Sequence, residues 1–135
     1  MAFINWNDSL SVKIASIDDQ HKRLIVLINE FYDNVSHRSN DENISLLIRG
    51  MKDYTQMHFE TEEKYMRQFK YPAYAAHKQE HDTFISKVVD VEEKFNKGKL
   101  ILSFEITSFL KEWIKSHIQG SDKKYTEFFI KNGVQ

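Results

Sequence analysis

The chain has 135 residues, enough for one domain with a single sizeable core. Its formal net charge is −1 with 29% charged residues and no cysteine, which argues against nucleic-acid binding and removes disulfides, thiolate metal sites and cysteine nucleophiles. MAFINWND lacks the marks of a signal peptide and the longest aliphatic run is LIVLI at 24–28, so a cytoplasmic protein without membrane insertion is expected.

Four glycines and one proline punctuate the chain sparsely, which favours long helices over many short strands. An irregular arm is expected over 1–17. A first helix follows over about 18–37, where Leu24, Ile25, Leu27, Ile28, Phe31 and Tyr32 repeat with a helical period. HRSNDEN is a polar connector with Asn40 or Asp41 placed to cap the next helix, and His37 within it reads as a plain surface residue. The second helix covers 41–69, with Leu47, Met51, Tyr54, His58, Glu62, Tyr65 and Phe69 as its inward stripe. Pro72 opens a third helix over about 72–97, which Gly98 ends. A fourth spans about 101–131 and closes at Asn132-Gly133. Short connectors between long helices predict an all-α fold, an antiparallel up-down-up-down four-helix bundle forming one domain over 1–135.

Each predicted helix carries metal-competent side chains on or near its apolar stripe. DDQHKRL places His21 on the side of Leu24, Ile25 and Ile28. HFETE sets His58 and Glu62 one turn apart, and HKQEH does the same for His77 and His81. WIKSHIQGSDKKY adds His117 and Asp122. Any one of these could be an ordinary surface residue or a chance pairing. Five histidines and two carboxylates aimed into one core would be prohibitively costly without a cation between them. Seven donors exceed the four of a tetrahedral zinc site. Imidazole and carboxylate without thiolate suit iron or manganese, and the carboxylates can bridge two ions. If both carboxylates and a solvent-derived oxygen bridge, five imidazoles divide unevenly, leaving an open position on one ion. His117 and Asp122 are five residues apart, about 140° around a regular helix. A π-bulge at Gly120 would turn Asp122 inward.

The ordered set HKRL, HFETEE, HKQEH and HIQGSDKKY resembles the hemerythrins, in particular the single-domain bacteriohemerythrins, over essentially the whole chain. The resemblance implies two iron ions with a bridging oxo or hydroxo group, cycling between ferrous and ferric, and reversible binding of dioxygen as a hydroperoxide. By it, His77, His81 and His117 would hold the closed iron, His21 and His58 the open one, and Glu62 and Asp122 would bridge. Trp113 is expected to wall the site, with Leu24, Ile25, Ile28, Phe59 and Ile114 as further oxygen-pocket candidates. No Glu-x-x-His occurs, unlike the motifs of di-iron oxygenases and ferritin-like proteins. The expectation is therefore an oxygen-binding protein, not an enzyme, acting as a monomer in carriage, storage or supply. A sensing module acting through a partner is the alternative, and a weak peroxidase or a nitric oxide or nitrite reductase ranks behind it.

Overall fold

The computed structural model describes residues 3–37, 41–98 and 104–135. Its helices are α1 (Ala15–Ser36), α2 (Asp41–Phe69), α3 (Tyr74–Asn96), α4 (Phe104–Ser116) and α5 (Lys123–Lys131). A π-helical segment, His117–Asp122, joins α4 to α5, so these three make one interrupted fourth rod. The four rods form an antiparallel up-down-up-down bundle, with no strand among the described residues. Asn40 and the predicted start of the fourth helix at 101 lie outside the described residues.

Helix ends follow backbone chemistry. After α3, Gly98 takes the left-handed conformation (φ 67°) and its N–H donates to the Phe95 carbonyl at 2.9 Å. After α2 the same position is held by Lys70 at φ 58°, with the Tyr71 N–H donating to the Met66 carbonyl at 2.8 Å. Pro72 lies in the turn that follows, and α3 begins two residues later than its position predicts.

The stripe predicted for α2 is corrected in detail. Met51, His58 and Glu62 are buried, but Leu47, Tyr54, Tyr65 and Phe69 are only partly so. Ile44, Ile48, Thr55, Phe59 and Met66 complete the true inward face. The aromatic flanks keep their rims in water, while Thr55 enters the core because its hydroxyl donates to the Met51 carbonyl at 2.6 Å.

The arm is more structured than its sequence suggests. It contains a short 3₁₀ turn at Asp8–Leu10, and Ile4, Leu10, Val12 and Ile14 join the core. Asn29 pairs with both backbone groups of Ile4, at 2.7 and 2.8 Å. Asp18, expected near the start of the first helix, accepts from Ser11 Oγ and the Val12 N–H, so it anchors the arm to α1. Gln119 Nε2 donates to Ser9 Oγ at 2.9 Å, tying the arm to the π segment.

Candidate metal centre

The seven predicted donors meet in the core. His21, His58, His77, His81 and His117 are each at most 3% exposed, and Glu62 and Asp122 are fully buried. Their donor atoms form two groups: Glu62, His77, His81, His117 and Asp122, and His21, His58 and Glu62, within 4.8 Å of one another in each. His37, by contrast, is exposed, and its Nδ1 lies 2.8 Å from the Asp33 carbonyl.

The π segment explains how Asp122 arrives there. Hydrogen bonds that skip five residues widen the turn by one residue, so position i+5 comes round to the face of His117. Gly120 sits within this segment with open space where a Cβ would be, so crowding does not demand glycine there.

Each carboxylate faces both groups. Glu62 Oε1 lies 3.2 Å from His81 Nε2 and 3.7 Å from His77 Nε2, while Oε2 lies 3.5 Å from both His21 and His58 Nε2. Asp122 Oδ1 is 2.9 Å from His77 Nε2 and 3.0 Å from His117 Nε2; its Oδ2 is 3.1 Å from His21 Nε2. Despite these approaches, both nitrogens of His21, His77 Nε2, Glu62 Oε1 and both Asp122 oxygens are buried without a hydrogen-bond partner. The atoms converge on shared points between them instead of on each other.

The outer ring nitrogens fix the tautomers. His81 Nδ1 lies 2.8 Å from Glu63 Oε2, His117 Nδ1 2.9 Å from Glu80 Oε1, and His58 Nδ1 2.6 Å from Gln20 Oε1. An oxygen acceptor requires the proton on Nδ1, so each of these rings in its neutral form has a lone pair on Nε2 directed inward. The Nε2 atoms of His81 and His117 face each other at 3.1 Å, a contact that two neutral rings of this tautomer cannot turn into a hydrogen bond. Lone pairs and carboxylate oxygens brought together in this way fit a divalent or trivalent cation.

Protons are the other means of offsetting the buried negative charge. Burial disfavours the imidazolium of His21, but Asp122 and Glu62 outweigh it and raise its pKa to about 10. The same opposition raises His77 to about 9. For His58, burial dominates over attraction to Glu62 and lowers the pKa to about 4. Burial would raise Glu62 and Asp122, yet the surrounding imidazoles hold both well below the usual carboxylate range.

Aromatic residues wall one side. Phe59 stacks on His81, with ring centres 3.7 Å apart, and Trp113 stacks on His117 at 4.4 Å. Leu24, Ile25, Ile28 and Ile114 are buried in the same core cluster. Four contributors are absent from the predicted set: Gln20, Glu63, Glu80 and Tyr125, whose hydroxyl donates to Glu62 Oε2. Gln20, Glu63 and Glu80 each stand next to a predicted ligand in sequence, which was the available signal. Tyr125 follows Asp122 by three residues, one turn on along the same face.

The family model for the Hemerythrin HHE cation binding domain matches residues 12–129. A bacteriohemerythrin of Stenotrophomonas maltophilia is 36% identical over 128 residues, spanning 94% of this chain and 82% of that protein. A bacteriohemerythrin of Methylococcus capsulatus is 32% identical over 126 residues, spanning 93% and 95%. A wild-type hemerythrin crystal structure superposes with a TM-score of 0.84 at 31% identity, covering 93% of this chain and 97% of that one.

Proposed function

This chain belongs to the hemerythrin family, and from that premise we propose that it binds dioxygen reversibly at a non-haem di-iron centre, for oxygen carriage, storage or supply. The observation that carries the reading is the convergence of five imidazoles and two shared carboxylates on points where their own atoms lack hydrogen-bond partners. When bound, two iron ions with a bridging oxo or hydroxo group would supply the electrons that dioxygen takes up and returns.

The residues divide the work unequally. His77, His81 and His117, with Glu62 Oε1 and Asp122 Oδ1, would supply five donors to one ion. His21 and His58, with Glu62 Oε2 and Asp122 Oδ2, would hold the other with one donor fewer, leaving space for a small ligand. The rings of Phe59 and Trp113, stacked on His81 and His117, would exclude water from the three-histidine side, and the buried aliphatic side chains of Leu24, Ile25, Ile28 and Ile114 would help keep the core around the site dry. Exclusion matters because water and protons promote loss of a reduced oxygen species in place of dioxygen. Tyr125 donates its hydroxyl to Glu62 Oε2, which would fix the orientation of this shared carboxylate.

We read residues 1–135 as one domain, working as a monomer in the cytoplasm. Among the described residues no helix is long and apolar enough to cross a membrane. The test is the visible spectrum of the reduced, iron-loaded protein before air, after air, and after oxygen is removed again. Colour that comes with air and fades on deoxygenation is expected. Colour that stays would point to sensing or redox turnover, and multiple turnovers with excess peroxide or nitrite would make the protein an enzyme.

A further inference from the structure

Three of the five imidazoles, His58, His81 and His117, have an acceptor behind the ring, and its chemistry differs on the two sides of the site. On the three-histidine side, His81 donates to the Glu63 carboxylate at 2.8 Å and His117 to the Glu80 carboxylate at 2.9 Å. On the two-histidine side, His58 donates to the neutral amide oxygen of Gln20 at 2.6 Å, and His21 Nδ1 has no partner. The shared carboxylate is polarised in the same sense. Tyr125 donates its hydroxyl to Glu62 Oε2, the oxygen facing His21 and His58, while Oε1 on the other side has no such donor.

An anionic acceptor behind an imidazole draws on its Nδ1 proton and makes Nε2 a stronger donor, and a neutral amide does this less. A hydroxyl donating to a carboxylate oxygen weakens that oxygen as a ligand. Every one of these differences makes the three-histidine side richer in electrons. Stronger donors favour the ferric over the ferrous state.

We propose that Glu63 and Glu80 set the order of oxidation, so that the first electron leaves the ion held by His77, His81 and His117 and the second leaves the ion held by His21 and His58. The inference rests on the ligand assignment given under Proposed function. Glu63 and Glu80 are positioning residues that act through His81 and His117. In each step one electron passes from one ferrous ion to an added oxidant such as ferricyanide, which becomes ferrocyanide. The Glu63 side chain is 8% exposed, whereas the Glu80 side chain is 41% exposed and also accepts from Ser121. Glu63 therefore has the larger influence, because solvent screens Glu80.

The experiment is a redox titration of the iron-loaded protein and its variants, with iron counted first. Two ions per chain and two resolved one-electron steps are expected for the unaltered protein. Outer partners of this kind change metal affinity tenfold or more, and a tenfold bias between oxidation states is about 59 mV for one electron. Glu63→Gln should raise the first step by about that much and leave the second in place, with Glu80→Gln doing the same to a smaller extent. Gln20→Glu, on the half-buried side of α1, should lower the second step instead and draw the two together. Fewer than two ions in the unaltered protein would overturn the ligand assignment and this inference with it. With two ions bound, a single two-electron wave, Glu63→Gln moving the second step, or Gln20→Glu moving the first or neither would overturn this inference alone.

Discussion

Removing the metal should cost the fold much of its stability, and the cost can be worked from the site. Six buried donor atoms have no partner within the protein. At about 1–3 kcal/mol for each unsatisfied buried group, they sum to roughly 6–18 kcal/mol, against a stability of about 5–15 kcal/mol for a typical domain. At neutral pH protonated His21 and His77 lie 3.1 and 2.9 Å from the two Asp122 oxygens and satisfy four of the six atoms, which leaves roughly 2–6 kcal/mol. For a chain of 135 residues each kcal/mol moves Tm by roughly 3–5 °C, which gives a fall on the order of 10–20 °C at neutral pH. Thermal unfolding followed by far-ultraviolet circular dichroism, with excess iron or with chelator, measures it at fixed metal concentration. The metal-free protein should also respond to pH. His21 and His77 are raised from 6.5 to about 10 and about 9. Their contribution is therefore complete below pH 6.5 and is lost as pH rises through 9 to 10. Metal-free protein should weaken over that window while loaded protein, whose imidazoles carry metal in place of protons, should not. A metal-free Tm within about 5 °C of the loaded one, or a metal-free stability that rises towards pH 10, would refute the reasoning.

Three further outcomes test individual features. Lys70→Gly should stabilise the protein by about 0.5–1 kcal/mol, because left-handed strain of about 1–2 kcal/mol outweighs the entropy that glycine adds to the unfolded chain. Lys70→Ala should be neutral, and urea midpoints at constant m-value compare the two. Tyr125→Phe leaves buried Glu62 Oε2 without its hydroxyl donor; it should cost the loaded protein about 1.5–3 kcal/mol in the same assay. Gly120→Ala should keep full iron content and gain up to about 1 kcal/mol, since a Cβ there meets open space; iron loss on this change would show that the π segment needs glycine.

Much of this was legible because a helix repeats its face every turn. His58 with Glu62 and His77 with His81 could be placed on common faces from spacing alone. The fivefold spacing from His117 to Asp122 broke that rule and marked where the backbone departs from it. Gln20, Glu63 and Glu80 were harder to read, since each lies beside a ligand in sequence yet serves a ligand on another helix. Spacing along one helix carries no information about its neighbour's flank. The stripe of α2 departs from its helical period at the aromatic positions, because size and apolarity do not separate a half-buried Tyr54 or Tyr65 from a core residue. In the arm, burial of Ile4, Leu10 and Val12 comes from contacts far along the chain, which no local period reveals.

The three outer hydrogen bonds connect the rods in order: Gln20 of α1 to His58 of α2, Glu63 of α2 to His81 of α3, and Glu80 of α3 to His117 of the fourth rod. Sliding any rod by one turn, about 5.4 Å, displaces a ligand and a neighbour's support together. α1 and α2 alone bring together His21, His58 and Glu62, whereas the five-donor group needs α2, α3 and the fourth rod in register at once. Metal retention becomes a proofreading signal for the bundle: a collapsed chain with one helix out of register would shed its ions while keeping nearly all of its helicity.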